Sequence, residues 1–397
     1  MRVGFVNNLM RIIHTYPFPA PIDDNVPELP LGLVTGGGET YPYRLSLMQA
    51  KNGHDVRFLT CKFDGIAADP ITRGSWSISY LSAIKRNSVQ YALMIPLFFK
   101  LLFTPADVYV CHQLPTVTTL ITTLVARIKR KPSIVQYLGF RPEINRDARI
   151  LSRINSLLMT RMIFPNQYAA DFFKDYVVES KSVILPYGVD IDYYSQLEHS
   201  SRPESMHDEN LKYVLYVGRL LSSKGIDVLI HSFDKVYRKD SSVRLVLVGK
   251  GPFREYLENL IQTLGLSDVV YLVGFVPDEQ LGSYYYYADV FVLPSVYTDC
   301  FGNYHPEPEA FGLVLAEAMC NNTAVIASNV GGVPSWIVDQ QNGLLFESGD
   351  VDGLTEKLLR LLTEEDLASN LKVRAIEMLE ENHSLQKVAN SFLSLKS

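Results

Sequence analysis

Short apolar runs rich in Val, Ile, Leu and Tyr recur along this chain, separated by segments of helical length. In the first half the runs fall at residues 3–6, 56–60, 108–111, 134–138, 162–165 and 183–185. In the second half they fall at 213–217, 244–248, 269–272, 290–293 and 324–327. Continuous apolar strands alternating with helices predict parallel sheets buried on both faces. A polar stretch at 196–210 (QLEHSSRPESMHDEN) separates the two sets, with charge, Ser and Pro replacing the apolar runs. The expected organisation is α/β: two doubly wound domains at 1–195 and 211–383, with a last helix at about 384–397 that packs back on the first. Two such domains imply a cleft, and ligands bind beyond the carboxyl ends of the strands.

Composition narrows the class. With 397 residues, 47% of them hydrophobic and 20% charged, the chain is no disordered tail, fibrous repeat or small disulfide scaffold. A net charge of -6 argues against wholesale nucleic-acid binding. Cys61, Cys111, Cys300 and Cys320 form no C-x-x-C and read as reduced thiols in a cytoplasmic chain. The start reads as a strand, not a secretory signal. The most apolar segment, 91–99 (YALMIPLFF), is far short of the ~18 residues of a membrane span. Beside it Lys85 and Arg86, with Arg127, Lys129, Arg130 and Lys131, are candidates for peripheral contact with an anionic membrane. Core packing of the run beside solvated charges is the favoured reading.

Three segments carry candidate chemistry. The strand LYVGR ends in Gly218-Arg219, and five residues on Lys224 and Gly225 open a helix. An Arg fork and a Lys point charge beside a helix amino terminus suit a diphosphate. The next strand ends in VLVGKGP, where Gly249 and Gly251 mark a sharp turn or a close backbone approach. In PEPEAFGLVLAEAM, a helix beginning near Phe311 or Gly312 leaves Glu309 in the preceding loop and puts Glu317 in the second turn. The free amides of Gly312, Leu313 and Val314 then favour an anion, and Glu317 can accept from two ribose hydroxyls.

The order VGR…KG…LVGKGP…LVGFV…ADVFVLPS…EAFGLVLAEAM…GGVP…NGLLF resembles the retaining glycosyltransferases of family 4, which have the GT-B fold of two facing Rossmann-like domains. In the first half Gly36-Gly37-Gly38-Glu39 resembles that family's glycine-rich loop, His112 its active-site histidine, and LPYGVD at 185–190 its connection between domains. The resemblance implies that Arg219 and Lys224 neutralise the diphosphate, and that Glu309 and Glu317 serve the donor sugar and the ribose. It implies that Gly312 and Leu313 offer amides to the donor, that Gly37 and Gly38 lie near diphosphate and acceptor, and that His112 lies near the transferred sugar. The base is expected against backbone around Gly274, Phe275 and Val276, with Gly251 nearby in the substrate site. The reaction implied is retaining, metal-independent hexosyl transfer from a nucleotide-diphosphate sugar to a glycan, lipid-linked or small-molecule acceptor, with no cofactor.

Several features pull elsewhere. Asp190-Ile191-Asp192 is a D-x-D, which binds a divalent cation in other glycosyltransferases, but its place in the connection favours a structural turn. Glu307 rivals Glu309, although only Glu309 has the right spacing to Glu317. A satisfied core histidine is the alternative for His112. A Pro-rich segment at 15–34 and a lengthened loop at 297–308 depart from the family pattern. The run 284–287 (YYYY) reads as helix packing. A sugar-nucleotide epimerase on the same fold and a non-catalytic glycan-binding protein are the rival functions. An NAD-dependent dehydrogenase would need G-x-G-x-x-G after the first strand, which is not there.

Overall fold

The computed structural model describes residues 9–18, 37–62, 70–86, 88–139, 146–195 and 201–396. The chain divides into two units, one built from the amino-terminal strand, Gly38–Gly188 and Leu385–Ser397, the other from Val189–Ser384.

The strands of the first unit are β1 (Arg11–Tyr16), β2 (Asp55–Lys62), β3 (Ile71–Arg73), β4 (Trp76–Ser82), β5 (Ile84–Arg86), β6 (Ser88–Leu93), β7 (Val108–His112), β8 (Ser133–Gln136), β9 (Arg161–Phe164) and β10 (Ser182–Ile184). Its helices in the same span are α1 (Gly37–Lys51), α2 (Ile95–Phe103), α3 (Val117–Ile128), α4 (Arg146–Leu158) and α5 (Gln167–Phe173). Among the described residues, eight strands form one sheet in the order β10-β9-β8-β7-β1-β2-β4-β3, while β5 and β6 form a separate antiparallel ribbon. Only β3 runs antiparallel to its neighbour in the large sheet. Strand order reverses between β1 and β7, a topological switch point where loops part and leave room for a ligand.

Two expectations change here. The run at 3–6 lies outside the described residues, as does Gly36; the first described strand is RIIHTY, which takes Thr15 and Tyr16 out of the Pro-rich segment. Most of the remainder of that segment is also outside the described residues. The run at 91–99 is split between the end of β6 and α2, which carries Pro96 in its first turn, where a missing N–H leaves no helical bond unmade. Met94, Leu97 and Leu101 pack with Ile13, Leu59 and Tyr109, but Ile95, Phe99 and Phe103 on the other face of α2 stay exposed.

The second unit contains α6 (Ile191–Ser195), β11 (Lys212–Val217), α7 (Ile226–Tyr237), β12 (Val243–Val248), α8 (Arg254–Thr263), β13 (Val270–Gly274), α9 (Asp278–Tyr286), β14 (Val290–Leu293), α10 (Leu313–Cys320), β15 (Ala324–Ser328), β16 (Leu344–Phe346), α11 (Val351–Thr363) and α12 (Glu365–Asn382). Its strands pair in parallel in the order β13-β12-β11-β14-β15-β16. Leu229, Phe233, Leu245, Leu247, Val292, Ile326 and Leu358 are fully buried in one cluster that joins the sheet to α7 and α11. Both faces of the strands are apolar, the pattern that gave them away in the sequence. The switch point lies between β11 and β14.

The chain ends in α13 (Leu385–Ser394), which belongs to the first unit. A β-carbon on Gly188 would meet the Leu385 backbone at 2.6 Å, and Gln386 Nε2 donates to Asn52 Oδ1 at 2.7 Å. No described helix is long and apolar enough to cross a membrane.

Candidate functional site

Each unit carries chemistry at its own switch point. In the second unit the loop after β11 delivers the cations. Gly218 follows the strand because the Tyr216 hydroxyl occupies the space a β-carbon would need, at 2.8 Å. That hydroxyl donates to Arg219 O at 2.9 Å, which fixes the turn while the Arg219 side chain stands exposed. Tyr216 is fully buried; burial, with Glu309 nearby, pushes its phenol well above the ordinary value, and Arg219 pulls the other way. Arg219 and Glu309 therefore both act on one buried hydroxyl.

Lys224 ends a short turn, and Gly225 follows at φ 61°, a left-handed conformation that opens α7. A β-carbon on Gly225 would lie 2.1 Å from Pro294 O, and Val296 N donates to Ser223 O at 2.9 Å. The cation loop is thus clamped to the loop after β14. From there Lys224 Nζ reaches Glu309 Oε2 at 2.7 Å and Pro308 O at 3.1 Å. Lys224 grips Glu309, the carboxylate with the expected spacing to Glu317.

Glu309 is held from behind. Gly332 N donates to Glu309 O at 2.9 Å, and a β-carbon on Gly331 would meet that oxygen at 2.0 Å. The GGVP turn therefore serves as the seat of Glu309. Three residues on, Gly312 takes φ 83° as the amino cap of α10, and no side chain caps the helix. Its first amides, including that of Leu313, have no intrahelical acceptor. Glu317, in the second turn, is almost fully buried and accepts from the Tyr285 hydroxyl at 3.0 Å. So Lys224 and Glu309 are brought together, Arg219 lies within electrostatic range of the same Tyr216 hydroxyl as Glu309, and Glu317 makes its contact with α9. Tyr285 is fully buried, and its partnership with Glu317 is a polar role that the YYYY run does not reveal.

Gly251 has a packing role: a β-carbon there would lie 2.2 Å from Leu220 O. Gly249 does the same against Gly218 O, so the VGKGP turn presses on the cation loop. Phe275 follows β13 half exposed, with Lys250 Nζ 5.7 Å from its ring centroid.

The lengthened loop is organised by Asp299, which accepts from Ser222 Oγ at 2.7 Å, His305 Nε2 at 3.0 Å and Asn303 N at 2.9 Å. Burial alone would raise the Asp299 carboxyl, but these hydrogen bonds outweigh it and hold the group well below the usual range. Asp190, the first acid of the D-x-D, accepts from Tyr193 N at 3.3 Å within the first turn of α6. Among the described residues no group of His, Cys, Asp and Glu is arranged to hold a metal ion.

In the first unit His112 ends β7 and is fully buried. Its Nε2 lies 2.8 Å from Nδ1 of His14 on β1, whose own Nε2 lies 2.7 Å from Gln49 Oε1 on α1. The imidazoles stack at 5.1 Å between centroids, with Phe58 stacked on the same group. Burial keeps both rings neutral, pushing His14 down to about 4 and His112 well below its ordinary value. His112 is thus a partnered, neutral ring at a switch point, and His14 and Gln49 are residues that spacing alone did not single out. Gly37 and Gly38 form the first residues of α1.

Known proteins fall on the same two halves. Residues 198–378 match the family described as glycosyl transferases group 1, and residues 35–193 match glycosyltransferase family 4. An uncharacterised glycosyltransferase of Methanocaldococcus jannaschii is 31% identical over 212 residues, 53% of this chain and 51% of that protein. The GDP-mannose-dependent alpha-(1-6)-phosphatidylinositol monomannoside mannosyltransferase of Mycobacterium tuberculosis is 32% identical over 187 residues, 46% of this chain and 47% of that protein. The chain spans about half the length of these curated relatives. Sucrose-phosphate synthase of Thermosynechococcus elongatus superposes with a TM-score of 0.72 at 21% identity, over 97% of this chain and 98% of that one, and shares the fold. With both halves matched in chain order and the paired parallel sheets of GT-B enzymes, this chain belongs to the family-4 type of glycosyltransferases.

Proposed function

We propose that the chain transfers a hexosyl unit from a nucleotide-diphosphate sugar to a hydroxyl acceptor, with retention at the anomeric carbon and without a metal ion or other cofactor. The observation that carries this reading is the Lys224–Glu309 ion pair at the switch point of the second sheet, four residues ahead of α10. As the glycosidic bond to the donor breaks, negative charge grows on the leaving diphosphate. Lys224, Arg219 and the open amides of Gly312 and Leu313 are charges and dipoles fixed beforehand, the arrangement that stabilises such charge most effectively. Glu309 orients Lys224 and accepts from hydroxyls of the donor sugar, while Glu317 accepts from the ribose. Phe275 and the backbone beside it meet the base, with Gly251 shaping the neighbouring turn. The GDP-mannose dependence of the mycobacterial relative supports a nucleotide-sugar donor.

The first unit then serves the acceptor, a glycan, a lipid-linked sugar or a small molecule, through Gly37 and Gly38 at the start of α1. His112, being neutral and buried, serves by hydrogen bonding near the transferred sugar, not by carrying charge. We place the reaction in the cytoplasm, where the free thiols of Cys61, Cys111, Cys300 and Cys320 stay reduced. Peripheral membrane contact is favoured by exposed Ile95, Phe99 and Phe103 on α2 and Ile150, Ile154 and Leu157 on α4, with exposed Arg149 and Arg153 among them. Of the basic residues first suspected, Lys129 is committed to Leu101 O and Thr104 O, and Lys131 to Asp107.

A panel of nucleotide sugars read by thermal shift and donor hydrolysis, then by transfer to acceptor fractions, tests the activity. Anomeric configuration of the product tests retention, and activity in strong chelator tests metal independence. Release of free sugar with no acceptor incorporation would favour the epimerase class instead.

A further inference from the structure

The lengthened loop at 297–308, where this chain departs from the family pattern, surrounds the turn that carries Lys224. Three successive residues of that turn are bound. Ser222 Oγ donates to Asp299 Oδ2 at 2.7 Å, Ser223 O accepts from Val296 N at 2.9 Å, and Lys224 Nζ donates to Pro308 O at 3.1 Å. Val296 precedes the loop and Pro308 closes it, so its two ends and its interior all meet one turn. The loop reaches the seat of Glu309 as well, because Gly331 N donates to the Tyr297 hydroxyl at 2.9 Å.

Asp299 is the centre of this arrangement, and its two oxygens have different tasks. Oδ1 accepts from Phe301 N at 3.0 Å and Asn303 N at 2.9 Å, which folds the loop around its own carboxylate. Oδ2 accepts from His305 Nε2 at 3.0 Å and from Ser222, which lies outside the loop. The side chain is fully buried, and a buried charge is costly unless its lone pairs are met. Burial pushes the carboxyl up, but His305, Ser222 and Asn303 together hold it well below the usual range, so it is ionised. An asparagine could serve the two loop amides through its one oxygen. The carboxylate adds a second acceptor, which serves Ser222 and His305 together.

We propose that Asp299 and Ser222 are positioning residues of the transfer reaction, holding the cation turn so that Lys224 meets the departing diphosphate in the orientation set by Glu309. Lysine is a point charge on a flexible stem, so where it acts depends on where its backbone stands. Ser222 opens the three-residue turn that Lys224 ends, and Gly225 N returns to Ser222 O at 3.1 Å. Freeing Ser222 therefore loosens the whole turn. Asp299 acts through Ser222 and touches no substrate. This inference rests on the proposed role of Lys224 at the diphosphate.

The test is donor turnover by the full-length chain, using whichever of the UDP-, GDP-, ADP- and dTDP-hexoses it hydrolyses fastest. Ser222→Ala should lower kcat at least ~10-fold with KM for the donor within ~3-fold, because a charge needed most in the transition state is misplaced. Ser222→Thr keeps the hydroxyl and should stay within ~3-fold of wild type in kcat. Asp299→Asn keeps an oxygen for the loop amides and loses the acceptor facing Ser222. It should match Ser222→Ala, and the two changes together should be no worse than either alone. On a Lys224→Ala background, Ser222→Ala should add less than ~2-fold. A full additive loss there would overturn the inference, since Ser222 would then act without Lys224. Wild-type kcat in Ser222→Ala, or equal losses in Ser222→Ala and Ser222→Thr, would overturn it too. The two readings fail separately. Near-normal turnover by Lys224→Ala removes the role of the lysine, whereas an impaired Lys224→Ala beside a fully active Ser222→Ala leaves that role and removes positioning by Asp299.

Discussion

Lys224 Nζ lies 2.7 Å from Glu309 Oε2, joining the loops after β11 and β14 across the switch point of the second sheet. The pair holds a lysine charge oriented before any ligand arrives, and on the proposed reading that lowers the reorganisation a departing diphosphate would otherwise demand. Removing the ammonium should therefore show in turnover more than in folding. Lys224→Ala is expected to lower kcat at least ~100-fold while the protein still folds, with some loss of stability because Glu309 is left unpaired. Near-normal turnover would take Lys224 out of the mechanism.

Gly331 tests how Glu309 is seated. It has φ 55°, and a β-carbon would come within 2.0 Å of Glu309 O. Gly331→Ala should cost about 1–3 kcal/mol of stability in urea unfolding, through strain and crowding together. Transfer should fall as well, because the displaced carbonyl carries Glu309 with it. An alanine variant with wild-type stability would mean that the turn yields more easily than its packing suggests.

Tyr285→Phe isolates one hydrogen bond to a buried carboxylate. Losing the 3.0 Å contact leaves Glu317 short of one donor. Nucleotide affinity, measured by titration calorimetry, should weaken roughly tenfold, in keeping with the energy of a hydrogen bond to a charged group. Unaltered affinity would separate Glu317 from the ribose.

Stability of the first unit should depend on pH through its buried histidines. His14 is held down to about 4 by burial, against an ordinary value near 6.5, so the unfolded chain binds the proton more tightly. The stabilisation is present in full above about 6.5 and is lost as pH falls toward about 4. Urea midpoints measured across that window should drop for wild type and drop less for His14→Gln. A flat wild-type profile would contradict the buried, neutral state.

Contact with a membrane has its own readout. Phe99 and Phe103 are 57% and 79% exposed on α2, and α3 packs between α2 and α4. Wild-type protein should cosediment with anionic liposomes at low salt, and the double variant Phe99→Glu/Phe103→Glu should not. No binding by wild type would assign these side chains to another purpose.

The second sheet could be read from sequence because its strands are unbroken runs of Val, Ile and Leu, as burial on both faces requires. β1 escaped that reading for a physical reason. Its His14 and Thr15 are polar yet fully buried, paid back by His112, Gln49 and Thr122, and such residues resemble a loop until their partners are known. β4 (WSISYLS) escaped for another: it alternates where a continuous run was sought. The candidate site divides the same way. Lys224, Glu309 and Gly312 lie in local motifs with characteristic spacing. Tyr285 with Glu317, and His14 with His112, meet across 32 and 98 residues of chain, a distance over which no spacing rule applies.

The glycines around the second switch point have one further consequence. Carbonyl oxygens of Gly218, Leu220, Pro294 and Glu309 stand where β-carbons on Gly249, Gly251, Gly225 and Gly331 would have to go. Main chain rests on main chain, so the rim of this half behaves as a keyed joint with no slack for insertion or reshaping. On the proposed reading, engineering of donor preference is best aimed at the outward-facing groups Phe275 and Lys250, leaving the interlocked turns as they are.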